Sequence, residues 1–129
     1  MTSEADFQTA FTKWLKNRFK KTAVFELKFC RGVSLPFSAV MDHQLLALQH
    51  ASTSSLAYKI SDGTLGQKPF DCFSVFRVPA YIVVRFEKPR CKKFYMITVG
   101  NWLHHIETSQ RRSLTENWAE KIGEVCYFS

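Results

Sequence analysis

Glu26 and Lys28 are separated by a single leucine within an otherwise apolar segment, residues 22–30. The alternation of side chains along this segment predicts a strand in which Glu26 and Lys28 share one face. Next neighbours on a strand face lie roughly 6.6 Å apart along the chain, so both side chains can address one phosphate. A carboxylate that holds a divalent cation beside an ammonium that orients water suits phosphodiester hydrolysis. The alternative is an ion pair on an edge strand, because Glu-x-Lys by itself is common.

The surrounding sequence predicts the elements that position this pair. A helix should begin after the cap residue Ser3 and run to about Lys20, with apolar residues at helical spacing from Phe7 to Phe19. A second helix is expected over 38–51 and further helices over 101–106 and 114–122. Strands are expected over 22–30, 56–61, 71–78, 80–87 and 94–99, with a last extension over 125–128. This order predicts a single α/β (α+β) domain over 1–129, in which helices flank a mixed central sheet.

Three short segments resemble a known family. They are 25–28 (Phe-Glu-Leu-Lys), 35–38 (Leu-Pro-Phe-Ser) and 43–45 (His-Gln-Leu). The order resembles the PD-(D/E)XK nuclease superfamily, particularly its small Holliday-junction-resolvase-like members, well over 22–48 and more loosely over 56–99. The resemblance implies a restriction-endonuclease-like core, dependence on Mg²⁺ (or Mn²⁺), branched or duplex DNA as substrate, and a homodimer.

Site roles follow from the same resemblance. Glu26 would be a metal ligand, Lys28 the catalytic lysine, and Gln44 a helix-borne residue that assists the phosphate or the water. His43 would contact nucleic acid at the site or would pack beneath the sheet.

One departure concerns the second metal ligand, an Asp that the family places on a strand before Glu-x-Lys. Residues 17–23 contain no Asp. We expect Asp71, at the start of a strand after a turn-rich loop, to take this catalytic and metal-binding role by migration to a neighbouring strand. Asp62 and Glu4 are the alternatives, although an Asp-Gly turn and a helix start explain them without chemistry.

The charge distribution bears on the partner. The net charge is +7, which favours a polyanion because each neutralised phosphate releases counterions. Arg31, Lys59, Lys68 and the basic turn between Arg85 and Lys93 are the expected phosphate contacts. A solvated basic face is the competing interpretation. With no recognisable base-reading motif, the contacts would position DNA without reading its sequence.

Other features narrow the class of protein. Four scattered cysteines lack the close pairs of a structural zinc site and indicate a reducing compartment. No apolar run is long enough for a membrane helix, so we expect a cytoplasmic protein (in the host cytoplasm if the chain is viral). The adjacent His104 and His105 would point about 100° apart on a helix and would not chelate together.

The rival functions are a non-catalytic nucleic-acid-binding protein with a nuclease-like fold and a small protein-interaction module.

Overall fold

A computed structural model describes residues 3–63 and 67–128 of the chain. The helices are α1 (Glu4–Arg18), α2 (Asp42–Thr53), α3 (Val99–Thr108) and α4 (Glu116–Ile122), with a short 3₁₀ turn at Phe37–Ala39. The strands are β1 (Val24–Cys30), β2 (Ser34–Pro36), β3 (Ser55–Lys59), β4 (Cys72–Phe76), β5 (Ala80–Phe86), β6 (Lys93–Thr98), β7 (Ser113–Thr115) and β8 (Glu124–Tyr127).

The central sheet has the strand order β1-β5-β6-β8 and is mixed. β1 runs parallel to β5 with Glu26 opposite Ile82, whereas β5, β6 and β8 pair antiparallel. β5 is buried along nearly its whole length, as its continuous apolar run predicts. β1 lies at the edge, which leaves room beside it for polar side chains. The predicted mixed α/β class with helices around a central sheet is confirmed.

Helices cover both faces of this sheet. α1 packs on one face, where Phe7 and Phe11 meet Phe25, Phe94 and other rings of the sheet. The opposite face carries the core formed with α2, α3 and α4, in which Trp102 is fully buried. The predicted alternation in β1 is therefore confirmed: Phe25, Leu27 and Phe29 pack towards α1, and Val24 and Cys30 towards α2.

Some boundaries differ from the sequence prediction. The helix expected from Ser38 begins at Asp42, because residues 37–39 first form the 3₁₀ turn. The segments 55–59 and 72–76 pair only with each other, as a separate two-stranded hairpin. The loop expected over 62–69 includes residues 64–66, which lie outside the described residues. Within 3–63 and 67–128, none of the helices combines the length and the apolar character that a membrane crossing requires.

Candidate active site

Glu26 and Lys28 lie next to each other on the α2-facing side of β1. Lys28 Nζ is 3.7 Å from Glu26 Oε1, and the two side chains are 26% (Glu26) and 15% (Lys28) exposed. A carboxylate and an ammonium on an edge strand are thus largely withdrawn from water yet still reachable from it. Because a charged group loses hydration energy on burial, such a pair needs partners or a function.

Gln44 connects this pair to the start of α2. Its Nε2 donates to Glu26 Oε1 at 3.1 Å, and its Oε1 accepts the backbone N–H of Met41 at 2.9 Å. The second contact is the glutamine half of a capping box, which satisfies an amide at the helix start. The orientation of the Gln44 amide follows, because a flipped amide would place an N–H group against the Met41 N–H.

The electrostatics of Glu26 identify two further neighbours. Burial raises the pKa of Glu26 above its usual value; the ammonium of Lys28 opposes this shift, and the carboxylate of Glu4 adds to it. A positive charge on His43 lowers the pKa slightly, but the net shift is upward. The structure therefore brings Glu26, Lys28 and Gln44 into contact, with Glu4 and His43 close enough to act on the same carboxyl group.

Glu4 and His43, which act on Glu26 electrostatically, lie near the starts of two helices. Glu4 is the first residue of α1, whose N-terminus is capped by the Ser3 side chain. His43 is exposed near the start of α2, so the packing role considered for it is wrong. The sequence made Glu4 only an alternative to Asp71, because a helix-start acid has a sufficient local explanation. Only the tertiary fold shows that the Glu4 carboxylate acts on Glu26.

Asp71 lies in a different environment from the one predicted. It follows the turn of the β3–β4 hairpin, its side chain is 84% exposed, and its carboxylate pairs with Lys68 Nζ at 3.2 Å. Asp62 also pairs with Lys68. The contacts of Asp71 are thus made within the hairpin and not with Glu26. The migrated-ligand role of Asp71 stays a prediction without a supporting contact.

Among the described residues, the side chains around Lys28 do not form an all-protein metal cage. Within the part of the chain that the structure describes, no three Asp, Glu, His or Cys side chains converge to form a metal-binding group. Mg²⁺ commonly keeps several waters and binds through one or two carboxylates. Glu26 offers one such carboxylate, and the carboxylate of Glu4 acts on it electrostatically.

The residues predicted to contact phosphate lie in different environments in the structure. Arg31 and Lys59 are exposed, whereas Lys68 is held by Asp62 and Asp71. Arg85 does not have the predicted exposed role: it is only 5% exposed and donates to the backbone carbonyls of the turn that follows it. An arginine in a strand core has no sequence signal that separates it from a surface arginine. His104 is exposed and His105 is buried, so the two imidazoles lie on different sides of α3.

Comparisons with protein-family models, with curated proteins and with solved structures found no match for the chain. The resemblance to the nuclease superfamily is therefore carried by the sequence segments over 22–48. Its functional content remains a prediction.

Proposed function

We propose that this protein is a Mg²⁺-dependent endodeoxyribonuclease whose active site is built on Glu26, Lys28 and Gln44. The observation that carries the proposal is the contact of these three predicted residues around one withdrawn carboxylate on an edge strand. A carboxylate whose pKa is raised by burial and by a second carboxylate is held at a cost in stability. Carboxylates with a perturbed pKa cluster at functional sites.

The roles follow from the chemistry of each group. Glu26, with Glu4, would hold the cation, which supplies charge neutralisation at the scissile phosphate when bound. Lys28, as an ammonium, would orient the attacking water and offset developing negative charge. Gln44, fixed by the Met41 N–H, would keep Glu26 in one orientation and leave its other oxygen for the cation. The net charge of +7 supports a polyanionic substrate.

Branched or structured DNA is the substrate class that we propose within this activity, on the resemblance to junction resolvases. Resolution of a four-way junction needs two coordinated cuts, so the same proposal includes a symmetric homodimer. The catalytic role of Glu26 and Lys28 does not depend on this subtype.

The test is incubation of the protein with linear, flapped and four-way-junction DNA, with and without Mg²⁺. We expect cleavage only with the cation, and its loss in Glu26→Ala and Lys28→Ala. Cleavage that persists unchanged in both variants would refute the site. DNA binding without cleavage would indicate the non-catalytic rival, and absence of binding would indicate an interaction module.

A further inference from the structure

A pocket lies on the α1 face of the sheet, opposite to the face that carries Glu26 and Lys28. It has a volume of 620 Å³ and lies between the second half of α1 and the turn that joins β5 to β6. Pockets of this size commonly hold small ligands. The proposed nuclease chemistry makes no use of this pocket.

The lining of the pocket is strongly basic. Among the described residues around it, Glu87 is the single acidic side chain. The basic side chains are Lys13, Arg18, Arg85, Lys88, Arg90 and Lys92. Lys88 is paired with Glu116, which lies outside the lining. A concave surface with one sign of charge concentrates ions of the opposite sign.

Arg85 adds a buried charge to this lining. Its Nη1 donates to the carbonyls of Phe86 and Lys93, and its Nη2 to that of Cys91, which fixes the turn. Carbonyl groups are neutral, and Arg85 Nε has no hydrogen-bond partner within the described chain. A guanidinium held by dipoles, without a paired carboxylate in the described part, leaves a positive potential beneath the pocket. An anion in the pocket would compensate it.

Arg90 occupies a strained position at the rim. The N–H of Cys91 donates to the Lys88 carbonyl at 3.2 Å, which closes a turn with Pro89 and Arg90 at its centre. Arg90 has φ of 63°, in the region that favours Gly or Asn at this place of a type II turn. An arginine there adopts a backbone conformation that most side chains disfavour, and such strain commonly accompanies a functional site.

Aromatic groups form another part of the wall. Trp14 is half-buried, stacks on Phe11 at 5.7 Å and meets the edge of Phe94 at 5.1 Å. Phe128 lines the pocket as well and lies 4.6 Å from Phe94. Fixed rings beside a basic surface suit a ligand that joins an aromatic base to a phosphate.

We propose that this pocket binds a nucleotide, with the phosphate among the basic groups around Arg85 and Arg90 and the base against Trp14. The nucleotide could be free or could be the phosphorylated end of a DNA strand, since both present the same chemistry. The proposal is independent of cleavage at Glu26, because no residue is shared between the two sites.

The test is calorimetric titration of the full chain in EDTA with deoxyadenosine 5′-monophosphate, deoxyadenosine and inorganic phosphate. We expect the monophosphate to bind at least tenfold more tightly than either fragment, with equal affinity in Glu26→Gln. A 5′-phosphorylated dodecamer that binds still more tightly would support a strand end as the source, and equal affinity a free nucleotide. No binding of the monophosphate at millimolar concentration would overturn the proposal.

Arg90→Gly is the decisive variant because it removes the charge and relieves the backbone strain. We expect at least tenfold weaker binding of the monophosphate with an unchanged or higher melting temperature. Arg77→Gly is the matched control: Arg77 also has positive φ, at 49°, but lies outside the pocket lining. Equal affinity of the two variants would refute the assignment.

Discussion

The Gln44 side chain donates to Glu26 Oε1 at 3.1 Å while its own oxygen is held by the Met41 backbone N–H. This links the orientation of a proposed catalytic carboxylate to the first turn of α2. The link explains why a glutamine suits this place. Alanine would leave the Glu26 carboxylate and the Met41 N–H without these hydrogen bonds. Glutamate would place a second carboxylate against Glu26.

Gln44→Ala should therefore lower activity and stability together. We expect about tenfold slower cleavage, and a loss of about 1–2 kcal/mol because a charged group loses a hydrogen bond and an amide loses its cap. Cleavage rates and thermal unfolding measure the two effects. Gln49→Ala, on the same helix, is the control and should change neither by a comparable amount. A Gln44→Ala protein with wild-type activity would separate this residue from the site.

Glu26→Gln should stabilise the protein near neutral pH. The pKa of Glu26 is raised in the folded state. Above that pKa, the ionised carboxylate therefore makes the folded state less stable. Glutamine resembles the protonated acid and removes this cost. We expect Glu26→Gln to have a higher melting temperature than wild type at pH 7. The gain should shrink as the pH falls towards 4, and a lower melting temperature at pH 7 would contradict it.

Glu116→Gln should have the opposite effect, because Glu116 is a structural carboxylate. Burial raises its pKa, but hydrogen bonds from Lys88 and Tyr95 outweigh this and leave the pKa lowered. Tyr95 Oη donates to Glu116 Oε2 at 2.6 Å. A lowered pKa means stability that is present above the unfolded value and lost as pH falls through the folded one. We expect a loss of about 1–2 kcal/mol at pH 7 that disappears in acid.

Urea unfolding of Glu116→Gln between pH 3 and pH 7 measures this difference. The control is Glu120→Gln, an exposed position on the same helix, α4. An equal loss at both ends of the pH range would contradict a role for the ionised carboxylate.

The second metal ligand can be identified by binding alone. A cation that binds the folded state raises its melting temperature by mass action. We expect Mn²⁺ and Mg²⁺ to stabilise the wild-type protein, and Glu4→Gln to reduce that stabilisation while Asp71→Asn retains it. Differential scanning fluorimetry over a range of cation concentrations measures the effect. The reverse result would restore Asp71 as the migrated ligand.

Local pattern was sufficient for most elements and for part of the site. The alternation in β1 placed Glu26 and Lys28 on one face, and the helix after them brought Gln44 to the same carboxylate. Local pattern did not fix how distant segments meet. The segment after Asp71 reads as an ordinary strand, yet it pairs only within a hairpin, and the start of α1 reads as a cap, yet Glu4 acts on Glu26.

The sequence pattern also did not predict which polar side chains are buried. Arg85 is surrounded in the sequence by exposed basic residues, but it faces inward because strand alternation places it on the α1 side with Val83. Its carbonyl partners lie in the following turn, whose geometry depends on the positive φ of Arg90. Charge counts alone cannot separate such a group from a surface contact.

The most direct measurement is the single-turnover rate of four-way-junction cleavage in Mg²⁺ by wild type, Glu26→Gln, Lys28→Met and the control Glu107→Gln. We expect Glu26→Gln and Lys28→Met to lose about 10³-fold or more in rate, consistent with removal of a metal ligand and of the group that acts on water. DNA affinity should stay within about threefold, and Glu107→Gln, an exposed change on α3, should match wild type. Wild-type rates in both site variants, or no cleavage by the wild-type protein itself, would contradict the central claim.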